Sequence, residues 1–121
     1  MKEVVKVTLE NEMDLILASK RTMKLAELCG LSLTIQTAMA TAVSEIARCA
    51  LSVGQNTSLE LGIITLSPNK KQLSARVCNI IDTCVNTEAI IFAKRLIAEV
   101  KTIKNGSGYK ILLNQDLKFG T

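Results

Sequence analysis

The sequence predicts an α+β fold: a two-layer sandwich with a mixed, mainly antiparallel sheet and helices on one of its faces. Three observations carry this. Short runs that alternate with period two and longer apolar stripes of helical period share the chain between them. Their order is β-α-α-β-β-α-β-β, and two of the strand pairs are joined by turn-forming segments too short for a helical crossover. The 121 residues are 48% hydrophobic and 21% charged, which suffices for one core and excludes a disordered chain. No repeat, low-complexity tract or linker divides them, so residues 1–121 read as a single domain.

The elements follow in order. Residues 3–9 alternate, with Val5, Val7 and Leu9 on one face and Val4, Lys6 and Thr8 on the other, as in a half-buried strand. Asn11 or Asp14 caps a first helix that reaches Cys29. Its stripe is Leu15, Ala18, Thr22, Leu25 and Cys29, with Leu28 beside it, and Gly30 stops it from the C′ position. Ser32 or Thr34 opens a second helix that runs to about Val53, where Gly54 ends it. Its core stripe is Ile35, Met39, Val43, Ile46 and Ala50. A different face carries Ala38, Ala42, Glu45 and Cys49, side chains small or polar enough to imply a close neighbour.

Residues 59–67 and 72–82 read as an antiparallel hairpin around Ser67-Pro68-Asn69-Lys70-Lys71, with Leu73, Ala75, Val77 and Ile81 on the buried face of its second strand. Asn86 or Thr87 caps a third helix from Glu88 to about Glu99, whose core residues are Ile90, Ile91, Ala93, Leu96 and Ile97. Residues 100–104 and 109–114 form a closing hairpin around Asn105-Gly106-Ser107-Gly108.

The inventory excludes several kinds of chemistry. The chain has no His, which removes Ser-His-Asp and Cys-His mechanisms, His-ligated zinc and an imidazole pH switch. Cys29, Cys49, Cys78 and Cys84 show no Cys-x-x-Cys spacing, so they read as reduced thiols in a cytoplasmic protein. The longest purely apolar run is five residues, from Ala89 to Ala93, too short to span a membrane. The net charge of +4 is spread along the chain, and one Tyr and two Phe offer no stacking platform for bases. A basic nucleic-acid-binding module therefore rests on the charge alone.

The most specific segment is Ala40-Thr41-Ala42-Val43-Ser44-Glu45-Ile46-Ala47-Arg48-Cys49 in the second helix. It resembles the N-box, A-x-x-E-x-x-x-N, of the bacterial anti-sigma-factor serine kinases and their switch-kinase relatives, members of the histidine-kinase-like ATPase (GHKL) superfamily. The Gly30-Leu31-Ser32 connection, the central hairpin, and Phe92-Ala93-Lys94-Arg95-Leu96-Ile97 ahead of the closing hairpin occupy the places that family leads one to expect. The resemblance implies that fold with a shortened lid. It makes Glu45 the counterpart of the general base, and puts Cys49 where an Asn holds Mg²⁺ one helical turn away. Asp82, ending a strand, stands where the family's Asp binds the adenine amino group.

The departures from the pattern are equally definite. A soft thiol is a poor ligand for Mg²⁺, which takes oxygen. Both glycines of the D-x-G-x-G motif are missing after Asp82, and no Gly lies between Ile63 and Lys104. Only four residues separate Thr83 from Glu88, where the lid and its phosphate-binding amides belong. Glu45 is then a vestigial base, with a helix carboxylate paired to Arg48 at i+3 or exposed as the plainer reading, and Asp82 is either an adenine contact or a turn former. Cys49 and Cys84 form a redox pair only if their Cα atoms come within about 7 Å, and two separately buried thiols are the simpler expectation. Asn105-Gly106-Ser107-Gly108 needs no role beyond its turn.

The expected function is that of a regulatory protein working by protein–protein binding in a partner-switching pathway, with no cofactor. The resemblance implies STAS-domain antagonists, sigma factors or phosphatase modules as partners. Related domains are fused to phosphatases, so the chain can belong to a longer protein, and a homodimer stays open. The alternative is an active Mg-ATP-dependent serine kinase or ATPase using Glu45 and Asp82.

Overall fold

A computed structural model of the chain describes residues 2–52, 57–81, 84 and 88–117. Its elements are β1 (Lys2–Leu9), α1 (Glu12–Leu28), α2 (Leu33–Ser52), β2 (Thr57–Ser67), β3 (Lys70–Ile80), α3 (Glu88–Leu96), β4 (Glu99–Asn105) and β5 (Gly108–Leu117). The strands form one five-stranded sheet in the order β1-β2-β3-β5-β4. Every pairing in it is antiparallel, so the parallel component allowed by the sequence is absent among the described residues.

The helices cover one face of this sheet. Val7 pairs with Leu59, Leu59 with Val77 and Val77 with Ile111, so a row of apolar side chains crosses four strands. Leu61, Ala75 and Leu113 make a second row. Both rows are buried in one cluster with Leu15, Ala18 and Leu25 of α1, Met39, Val43, Ile46 and Ala50 of α2, and Ile90 and Ala93 of α3. Burial of such side chains is the main favourable term in folding.

Local chemistry sets the helix ends. Asn11 and Asp14 act together in a capping box: the Asn11 side chain accepts from the Asp14 backbone N–H, and the Asp14 carboxylate accepts from that of Asn11. Gly30 takes φ +79°, and its N–H bonds the Glu27 carbonyl while the Leu31 N–H bonds that of Ala26, closing α1. The Ser32 hydroxyl accepts from the Ile35 N–H at the start of α2. Thr22, fully buried in α1, bonds the Ala18 carbonyl at 2.8 Å and so costs the core little. The caps expected from Gly54, Asn86 and Thr87 lie outside the described residues.

Three details correct the sequence reading. Leu28 is exposed, because the burial stripe of α1 passes through Leu25 and Ala26 instead. The inward residue near the end of β3 is Ile80, not Ile81. Asn79 adopts φ +58° at a register shift between Val77 and Ile80, and this bulge reverses the alternation. α3 ends at Leu96, and Glu99 opens β4; within and just after the helix, Ile90, Ala93 and Ile97 are buried while Ile91 and Leu96 face solvent. Among the described residues, no helix is long and apolar enough to cross a membrane.

Candidate functional site

The site assembles along one side of α2. At 100° per residue, Ala38, Ala42, Glu45 and Cys49 fall within an arc of about 60°. Ala42 is fully buried, Ala38 and Cys49 half-buried, and α3 packs against α2. The neighbour implied by this small-residue face is therefore α3 together with Cys84. Cys49 meets Cys84 there, with Sγ to Sγ at 2.8 Å, and Cys84 is only 1% exposed. The structure brings together two thiols that the sequence reading kept apart.

Glu45 is half-buried and lines a groove of about 500 Å³ with Glu88, Ala89, Ile91, Phe92 and Arg95. Glu88, Ile91, Phe92 and Arg95 share one helical face turned away from Ile90 and Ala93, while Ala89 packs partly against the core. The groove is thus bordered by two carboxylates and a guanidinium, with two exposed apolar side chains, Ile91 and Phe92, between them. Arg48 does not turn toward Glu45. It reaches across to Glu12 of α1 at 3.6 Å, in a pair that is largely exposed and adds little stability. A second groove, between α1 and α2, runs past Leu15, Ile16, Ser19, Lys20 and Ser44 beside that pair.

Asp82 lies outside the described residues, so of the three site residues read from the sequence the structure places Glu45 and Cys49. Glu88, Phe92 and Arg95 were missed as site residues, although their i, i+4, i+7 spacing marks a common face. The other polar constellation is on the uncovered side of the sheet. The Gln72 side-chain amide donates to Glu99 at 2.9 Å and Asp116 at 2.8 Å, joining three strands. Lys101 stands 2.9 Å from Glu99 and, with Gln72 and Asn114, holds its carboxyl below the ordinary value against the opposing effect of partial burial.

No family model matches the chain, and no curated protein matches it in sequence. Its fold, however, has a solved counterpart. The crystal structure of the RsbU and RsbW domains of Rv1364c from Mycobacterium tuberculosis superposes on it with a TM-score of 0.66. The match covers 100% of this chain at 12% identity, and the chain spans 35% of the length of that one. At this identity the likeness establishes a shared fold. The α+β two-layer architecture read from the sequence is the one this neighbour has.

Proposed function

We propose that this chain is a regulatory domain resembling the anti-sigma-factor serine kinases, which acts by binding a protein partner in a bacterial partner-switching pathway and not by phosphoryl transfer. The observation that carries the reading is the α2–α3 groove. Exposed Ile91 and Phe92 lie between Glu45, Glu88 and Arg95, an apolar centre with a charged rim. The partner classes are a STAS-domain antagonist, a sigma factor or a phosphatase module, met in the cytoplasm. The N-box resemblance and the fold shared with an RsbW-containing structure support this choice.

The donors along α2 also support an impaired nucleotide site. The Glu45–Cys49 turn does not suit Mg²⁺, because Cys49 offers sulfur and that sulfur sits against a second thiol. α3 packs beside the N-box-like face, which supports a reading in which side chains stand in for nucleotide.

Two measurements test the reading. Calorimetric titration with Mg-ADP and Mg-ATP is expected to give no saturable heat, and one-to-one binding would favour the active-kinase alternative, with Glu45→Ala then abolishing turnover. Purified candidates from the three partner classes are expected to include one that binds. Phe92→Ala, at a site 41% exposed, should weaken that binding by about tenfold or more without unfolding the domain. Unchanged affinity in Phe92→Ala would place the interface elsewhere.

A further inference from the structure

We infer that Cys49 and Cys84 are a site of reversible oxidation, forming an intramolecular disulfide that ties α2 to the segment ahead of α3. The inference rests on the thiol geometry and stands whether or not the groove binds a protein. The four cysteines are in the thiol form. Cys49 and Cys84, 35 positions apart in sequence, have their sulfurs in contact at 2.8 Å. Closing that contact to a disulfide bond needs a shift of less than about 1 Å. The pair is also asymmetric: Cys49 is half-buried, whereas Cys84 is 1% exposed. That is the arrangement of an attacking thiol backed by a resolving one.

The other two cysteines lie on other elements. Cys29 follows the last turn of α1 and Cys78 lies on β3, and burial raises the pKa of both, keeping them protonated. Cys78 also faces Glu60, whose charge adds to the rise, while Lys110, Arg76 and Ser58 oppose it.

With a small disulfide as oxidant the steps balance. The Cys49 thiolate attacks one sulfur of the small disulfide, the S–S bond breaks, and one small thiol leaves with its electron pair. The Cys84 thiolate then attacks Cys49 Sγ, displacing the second small thiol and forming the protein disulfide. Two electrons pass from the cysteine pair to the oxidant, and the two thiol protons end on the released thiols. The bond closes a 35-residue separation and fixes α2, one turn from Glu45, to Cys84.

The test uses the whole chain under native conditions with glutathione disulfide as the probe. The thiols left after oxidation are alkylated in denaturant, and the protein is cut with trypsin and with a protease cleaving before Asp. The second cut, at Asp82, separates Cys78 from Cys84, so the linked fragments are unambiguous. The expected result is a link between 49–70 and 82–94, a fall from four titratable thiols to two, and a melting temperature raised by roughly 5–15 °C. Dithiothreitol should reverse all three. Cys49→Ser should lose the link, while Cys29→Ser and Cys78→Ser keep it. Wild-type protein that retains four thiols, or carries glutathione on Cys49 with Cys84 still open to alkylation, would overturn the inference.

Discussion

Ile90 and Ile91 are neighbours in sequence and opposites in the fold, and truncating each in turn tests how α3 sits. Ile90 is 3% exposed and Ile91 52% exposed. Ile90→Ala removes three carbon atoms from the core, about 2.4 kcal/mol at about 0.8 kcal/mol per carbon. A residual cavity of about 50 Å³ adds about 1.2 kcal/mol at roughly 24 cal/mol per Å³. The expected loss is therefore about 3.5 kcal/mol, a large part of the roughly 5–15 kcal/mol that a domain has in total. Ile91→Ala leaves no cavity and gives up about half the transfer term at most, so it should cost about 1 kcal/mol or less. Urea unfolding followed by far-ultraviolet circular dichroism would measure both, with unchanged m-values licensing the comparison. Equal losses, or a greater loss at Ile91, would refute the reasoning. They would mean that α3 is rotated about its own axis and that the groove residues belong to the core.

The remaining predictions concern charge and backbone. Glu99 has its folded pKa lowered, so its interactions stabilise the fold above the ordinary value of 4.5 and are lost as pH falls below it through the folded midpoint. Lys101→Met should move the Glu99 carboxyl titration, read by NMR, back up toward 4.5; an unmoved midpoint would remove Lys101 as the main cause. Gly30→Ala places a Cβ in open space but at φ +79°, so its cost is backbone strain alone, about 1–2 kcal/mol in thermal or urea unfolding. Gly30→Asn should recover part of that loss, since Asn tolerates the left-handed region better.

Much of the fold was legible because its signals are local. Alternation in β1, the stripe of α1 and the Pro68-Asn69 turn each lie within a few residues and need no partner to be read. Even the small face of α2 announced a neighbour. What stayed hidden depends on tertiary placement. A bulge at Asn79 reassigned the inward position from Ile81 to Ile80; Asn is a residue type that tolerates φ +58°, but an Asn alone does not say that the chain bulges there. Ile91 and Leu96 are as apolar as Ile90, so composition could not tell which of them face solvent. The meeting of Cys49 with Cys84 joins residues 35 positions apart, which no local signal shows. The pairing of Arg48 with Glu12 likewise overrode a local i+3 partner, because Glu12 is brought across by the packing of α1 on α2.

The strand order leaves β1 and β4 as the two ends of the sheet, each with one side unpaired by a described strand. Lys2 and Lys6 lie along the first, Lys101 and Lys104 along the second, and the first also carries a register shift between Glu3 and Val5. A further strand arriving from another copy would meet ammonium groups at either end and an irregular ladder at one of them. The chain can thus keep a composition that is nearly half hydrophobic and still resist stacking sheet upon sheet into fibres. Four of the chain's lysines thus stand on its hydrogen-bonding edges, where their charge opposes pairing with another copy.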